Sequence, residues 1–386
     1  LNKIKLNQRK ITVTTGSRSE YGILRPVLKK LKNNKNFQLY LLVTGTHLSK
    51  KFGYTISEIK KDGFKPYSTF NMIPSRDENY YMAKSIGEGI THFAKIFKKI
   101  KPDINLLLGD RTEMLASAIA AYHMNIPNAH IHGGDVSGNV DEYTRHAITK
   151  ISNIHFAATR KSKERIIKMG ENPKFVFFTG SPSIDEIKIC KISSKIDLYK
   201  KYKLKIDNNT IILLHHPLTT QILQIKSQIL NILNAITKIQ NQTITISPNS
   251  DSGNKIIFDN LTKYSKKFRF IQKFDSLPRE DFLGLLKYGG VLVGNSSSGI
   301  IEASYIGTSV VNIGNRQQGR EQTKNVFNVK NINENTIKTS IIRALRTQKS
   351  IKPNYLYGDG NASKKIVDIL QKIRLDDNLI EKRIYY

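Results

Sequence analysis

The chain is 386 residues long, more than one ordinary hydrophobic core accommodates, and its 39% hydrophobic content suits a globular protein of two domains. Its single cysteine, Cys190, excludes a disulfide framework and any cysteine-rich metal site. A net charge of +31 would suit a nucleic-acid binder, but the lysines are scattered in doublets such as Lys29-Lys30, Lys98-Lys99, Lys200-Lys201 and Lys266-Lys267. No nucleic-acid partner is therefore expected, and the positive field favours a small anionic substrate. Lys, His or Gly interrupts each apolar run before membrane-spanning length, and no apolar signal-peptide core follows the basic N-terminus. A cytoplasmic protein without membrane association is expected.

In chain order, the β-rich run 11–15 ends in Gly16-Ser17-Arg18-Ser19-Glu20-Tyr21-Gly22. A helical pattern follows, with Ile23, Leu24, Val27, Leu28 and Leu31 on one face. Next come a strand at 37–43, the loop Thr44-Gly45-Thr46-His47, a turn at 61–63, and an amphipathic helix at 80–100 ended by Lys101-Pro102. The apolar strand 104–108 stops at Gly109-Asp110-Arg111, and a helix at 112–124 leads to a strand end at 128–131. Strand–helix alternation continues to a hinge near 179–182. A second series then opens with a strand at 211–214 that ends in His215-His216-Pro217. It continues with a helix at 220–239, a strand at 243–247, a helix at 279–287, and a strand entering Gly294-Asn295-Ser296-Ser297-Ser298-Gly299. A last strand, 309–313, precedes Gly314-Asn315-Arg316-Gln317-Gln318-Gly319-Arg320. Two consecutive βαβα series predict an α/β protein with two parallel-sheet domains, ligands binding at the carboxyl ends of the strands.

Residues 130–146 concentrate the acid–base chemistry: three carboxylates (Asp135, Asp141, Glu142), three histidines (His130, His132, His146), Arg145 and three glycines in seventeen residues. Asn139 is placed to cap the helix that follows, with Glu142 as its reciprocal partner. Within that helix Asp141 and Arg145 share a face, as do Glu142 and His146. Such side chains on a glycine-loosened turn at a strand end suit proton transfer; a capped helix with acids at its positive end is the simpler alternative. Asp110, directly after a strand, is a candidate acid held by Arg111. A metal held by His130, His132, Asp135 and His146 is disfavoured, because alternation gives the first two histidines one strand face and no H-E-x-x-H motif exists.

The stretch 294–299 joins a strand to a helix carrying Glu302. Small residues, serine hydroxyls and a helix start suit a phosphate, and Arg316 and Arg320 lie one strand further on. Arg18, flanked by Ser17 and Ser19, is a second anion clamp, and His216 offers a donor at a strand end. Neither G-x-G-x-x-G after the first strand nor G-x-x-x-x-G-K-[ST] is present, which argues against NAD and ATP.

Together these motifs resemble the hydrolysing UDP-N-acetylglucosamine 2-epimerases, including the epimerase half of the animal bifunctional epimerase/kinase. The resemblance spans about residues 9–375 and rests on 16–22, 108–111, 132–138, Asp141-Glu142, Arg145-His146, His216-Pro217, 294–297, Arg316-Gln317, Gly319-Arg320 and 357–362. It implies a GT-B-like pair of Rossmann-type domains, 1–181 and 182–361, with the active site in the cleft between them. A C-terminal helical segment at about 362–386 would pack back on the first domain. It implies anti elimination of UDP from UDP-GlcNAc to a 2-acetamidoglucal, then hydration with inversion at C2 to ManNAc, a step toward sialic acid or a related nonulosonic acid. No metal or redox cofactor is implied, and the assembly would be a homodimer or homotetramer. Asp110, Asp135, Asp141 and Glu142 are the candidate acids and bases, with Arg145 beside them; which one removes the C2 proton stays open. Arg18, His216, Ser296, Ser297 and Arg316 suit the UDP diphosphate, while Asn249 and Glu302 match the nucleotide and ribose positions.

Some features depart from the animal enzymes. No sugar-kinase domain is expected, and Asp259 and Thr262 stand where a pair of arginines mediates feedback by CMP-sialic acid, which puts that regulation in doubt. Relatives acting on UDP- or GDP-linked diacetamido sugars share the motifs. A GT-B glycosyltransferase is the rival reading from another enzyme class.

Overall fold

Short runs of two to seven residues, most of them apolar and several buried on both faces, form strands that are all parallel to their neighbours among the described residues. The structure is a computed structural model and describes residues 8–50, 53–76, 78–137, 141–248 and 253–386. The chain divides into two compact units. The first takes the chain up to Asp135, the stretch ending at Glu186, and Tyr357–Tyr386; the second takes Ile187–Leu356 and the short stretch beginning at Val136.

The first unit holds seven strands: β1 (Arg9–Thr15), β2 (Phe37–Val43), β3 (Ser68–Thr69), β4 (Ile104–Leu108), β5 (Asn128–Ile131), β6 (Ile154–Ala157) and β7 (Val176–Phe178). Their order across the sheet is β3-β2-β1-β4-β5-β6-β7. The second holds β8 (Ile211–Leu214), β9 (Thr243–Ile246), β10 (Ile271–Phe274), β11 (Val291–Gly294), β12 (Ser309–Ile313) and β13 (Val326–Val329), in the order β10-β9-β8-β11-β12-β13. In each sheet the order reverses once, between β1 and β4 and between β8 and β11. In open α/β sheets the crevice outside the strand ends at such a reversal is where ligands bind.

Helix Arg18–Asn33 starts at Ser17, whose side chain accepts from the Glu20 N–H, and it buries Tyr21, Leu24, Val27, Leu28 and Leu31. The C-terminal helix Ala362–Lys372 adds Ile366, Val367 and Leu370 to that same core. Its start is held by buried Asp185, whose carboxylate accepts the N–H groups of Ala362 (2.9 Å) and Ser363 (2.6 Å). Asp185→Ala should therefore cost about 2 kcal/mol, read as a lower urea midpoint; an unchanged midpoint would show the cap to be dispensable.

The helix expected at 220–239 begins instead with a 3-10 segment, Thr219–Gln224, in which Gln221 leaves helical geometry (φ −129°, ψ 32°). The α-helix proper is Ile225–Ile239. Leu223 is fully solvent-facing, so the first turn has no apolar face to bury. Among the described residues no helix is long and apolar enough to cross a membrane.

Candidate active site

Asp110 follows β4 and is one-quarter exposed; its carboxylate pairs with the guanidinium of Arg145, which is almost wholly buried. The sequence reading paired Asp110 with Arg111, and this is corrected. Arg111 occupies the N-cap position of helix Thr112–His123, and its side chain turns toward Glu113 (3.3 Å) and Glu20 (3.9 Å). Arg145 also donates to the Asp135 carbonyl at 2.7 Å. Burial works against its charge, but Asp110 and Asp135 outweigh that and raise its pKa.

Asp135 is itself enclosed. Its Oδ1 accepts from Ser162 Oγ at 2.7 Å, and its Oδ2 lies 3.7 Å from His132 Nδ1. His132 Nε2 meets Ser181 Oγ at 2.9 Å. His132 lies beyond the end of β5 with φ +64°, so strand alternation does not place it on the face of His130. His130 is spent on structure: its Nε2 meets the Gly109 carbonyl at 2.7 Å, its Nδ1 meets Thr149 Oγ1, and burial holds its pKa down to about 3. That bond ties β5 to the residue before Asp110. Among the described residues no three His, Cys, Asp or Glu side chains converge as metal ligands would.

Asp141 and Glu142 open helix Asp141–Lys150, with Asp141 exposed and Glu142 3.6 Å from His146. Burial lowers the His146 pKa, and Glu142 partly offsets this. The expected Asn139 cap lies outside the described residues, as does Asn249. The first unit thus brings Asp110, Asp135 and Arg145 together through direct contacts. Arg18, also in this unit, is paired with Glu58 at 3.1 Å on an exposed surface.

The second unit holds His216, Ser296, Glu302 and Arg316. Asn295, the residue before Ser296, which the sequence reading did not single out, ties the loops of His216 and Arg316 together. Its Oδ1 accepts the His216 N–H (2.7 Å), its Nδ2 donates to the His216 carbonyl (2.8 Å), and its own carbonyl accepts from Arg316 (3.2 Å) and Gln317 (2.9 Å). Burial first, then Arg316 and His215, hold His216 well below the usual imidazole pKa, so the ring is neutral at pH 7. His215 is held down to about 4, again mainly by burial and next by Arg316. Ser296 is buried and caps the turn Ser297–Gly299 through the Ser298 N–H (3.3 Å). Glu302 opens the helix Glu302–Ile306 and is met by Arg279 at 2.9 Å.

The loop after β11 depends on Gly294. Its φ is +137°, and a Cβ there would stand 2.0 Å from the Leu214 carbonyl oxygen. Gly294→Ala should cost about 3 kcal/mol from backbone strain alone and lower the melting temperature. A normal melt would show that the loop can re-form.

Residues 29–371 match the family described as UDP-N-acetylglucosamine 2-epimerase. The chain belongs to that family. It is similar to the UDP-N,N'-diacetylbacillosamine 2-epimerase (hydrolyzing) of Legionella pneumophila, 40% identical over 97% of this chain and 98% of that one. It is also similar to the GDP/UDP-N,N'-diacetylbacillosamine 2-epimerase (hydrolyzing) of Campylobacter jejuni, 34% identical over 83% and 84% of the two chains. Among solved structures, the UDP-GlcNAc 2-epimerase of Neisseria meningitidis bound to UDP-GlcNAc aligns with TM-score 0.79 and 22% identity, covering 94% of this chain and 100% of that one. The two parallel sheets of this 2-epimerase family member make a GT-B-like fold, as the sequence reading expected.

Proposed function

We propose that this protein is a hydrolysing 2-epimerase of a UDP-linked 2-acetamido sugar, and that its substrate carries a second acetamido group, as N,N'-diacetylbacillosamine does. The observation that carries the reading is the 40% identity to the Legionella enzyme over nearly the full length of both chains. UDP-N-acetylglucosamine, first in the sequence reading, becomes the second reading; the family description names it.

In the proposed reaction a carboxylate of the first unit removes the C2 proton. The C–H electrons form the C1=C2 bond, and the C1–O bond breaks with its pair leaving on UDP. Water then adds hydroxyl to C1 and a proton to C2 from the opposite face, giving UDP and the free sugar with C2 inverted. Asp110, Asp141 and Glu142 are the acids with exposed surface to meet the sugar. Asp135, 4% exposed, acts by positioning Arg145 and His132. Ser296, Ser297, Arg316 and neutral His216 of the second unit and Arg18 of the first are the groups suited to hold the diphosphate, with Glu302 and Asn249 toward the nucleoside. The working form is a cytoplasmic homodimer or homotetramer.

Incubation with UDP-N,N'-diacetylbacillosamine in D2O, without acceptor, should release the free 2-epimer with one deuterium at C2. Faster turnover of UDP-GlcNAc would favour the second reading. A product still linked to UDP would indicate a non-hydrolysing epimerase, and turnover only with an acceptor a glycosyltransferase.

A further inference from the structure

Glu20 and Glu113 form a second carboxyl pair, apart from the acids already described. Glu20, on helix Arg18–Asn33, is 7% exposed; Glu113, on helix Thr112–His123, is 4% exposed. They share one cation, since Arg111 Nε lies 3.9 Å from Glu20 Oε2 and 3.3 Å from Glu113 Oε2. The same Glu20 oxygen accepts from the Gly16 N–H at 2.9 Å and from Ser17 Oγ at 3.2 Å, while buried Oε1 has no hydrogen-bond partner.

Glu113 reaches directly beneath two glycines. A Cβ at Gly16 would stand 2.7 Å from its carboxyl carbon, and one at Gly45 (φ +59°) 2.4 Å from Oε1. Both glycines are therefore the condition for this carboxyl to sit under the β1 loop. The groups facing the pair are Arg111, His47 from the turn Gly45–Leu48, Ser17 and the Gly16 N–H. His47 is neutral, held down to about 4 mainly by burial, and bonds Thr15 Oγ1 and Thr55 Oγ1. Two carboxyls with one guanidinium carry surplus negative charge if both ionise. Burial, which outweighs Arg111, pushes Glu20 up to about 7.

We propose that Glu20, set against Glu113 and Arg111, is a positioning residue that takes up a proton when the nucleotide's diphosphate binds, because a neutral Glu20 removes the surplus negative charge beside Gly16 and Ser17. The inference rests on the nucleotide reading above, which sets the diphosphate against Arg18. An anion arriving there raises the Glu20 pKa further, so affinity falls as pH rises past the free-enzyme value. The slope is about tenfold per pH unit for one linked proton.

The test is calorimetric titration of the full chain with UDP from pH 6.5 to 8.5, in two buffers of different ionisation enthalpy. Protonation of UDP itself is common to all variants and cancels in comparison. Wild type should take up as much as about one proton more than Glu20→Gln near pH 7.5 to 8. Glu20→Gln, a mimic of the protonated state, should keep UDP affinity within about threefold at pH 7 and lose the extra pH dependence. Glu113→Gln removes the like charge and should move the uptake to lower pH; it also serves as the test should Glu20→Gln fail to fold. Equal proton counts for wild type and the folded variants, all binding UDP, would overturn the inference and leave the nucleotide reading standing. A folded wild type that does not bind UDP would overturn both.

Discussion

Asp110→Asn should lower turnover by about a thousandfold while leaving UDP affinity within about threefold, measured by product release and by calorimetry. The physical reason is local. Asp110 is the acid at the strand reversal between β1 and β4 that retains exposed surface, and Arg145 fixes its orientation. The amide keeps the shape but can neither take a proton from carbon nor neutralise the buried guanidinium. Arg145→Met should be nearly as inactive and also less stable by about 3 kcal/mol, since Asp110 loses its partner and the Asp135 carbonyl its donor. The double variant should be no worse in turnover than either single one, as for two parts of one unit. Additive losses, or an Asp110→Asn protein that loses UDP affinity equally, would assign Asp110 a structural role.

Glu171→Gln is expected to lower stability by about 3 to 5 kcal/mol at pH 7, read as a fall in urea midpoint. Glu171 is 2% exposed at its side chain and is met by His155 Nε2 (3.1 Å), Lys150 Nζ (2.7 Å) and Lys382 Nζ (2.6 Å). Burial alone would raise its pKa; the bonds and charges of His155, Lys150 and Lys382 outweigh burial and bring it down to about 2. A depressed carboxyl pKa adds stability that is complete above its unfolded value and lost as pH falls toward the folded one. The gap between wild type and Glu171→Gln should therefore be widest above pH 5 and narrow toward pH 3. A pH-independent gap would contradict the ion-pair account. The effect also reaches the site: Lys382 donates to the Ser152 carbonyl (2.7 Å) and to that of Lys150, at the end of the helix bearing Arg145. Loss of Glu171 releases the cation that closes this helix.

Some of this was legible in the residues. The strands at 37–43, 104–108, 128–131 and 309–313 are apolar runs buried along most of their length, so burial pattern and sequence pattern coincide. β10 and β13 were not anticipated. Ile271-Gln272-Lys273-Phe274 and Val326-Phe327-Asn328-Val329 lie at the edges of their sheet with one buried residue each, and such strands carry no apolar run to read. Asn295 carries no signal of its own within its serine-rich motif. A carboxamide's role as a tie depends on which backbone groups come within 3 Å, and no local spacing encodes that.

The sequence by itself determined that polar clusters stand directly after strands, because parallel strands buried on both faces must be apolar and can place chemistry only where they end. Only the tertiary structure decided which of those ends meet. β1 lies beside β4 and β8 beside β11, with whole helices and strands between them in the chain, so Gly16-Ser17 and Asp110 follow neighbouring strands and the histidine loop meets Asn295. It likewise decided that Asp110 takes Arg145, thirty-five residues away, while the adjacent Arg111 turns to Glu113 and Glu20. A residue at the N-cap position points its side chain where its extended backbone sends it, and what it meets there is set by packing, not by nearness in the chain.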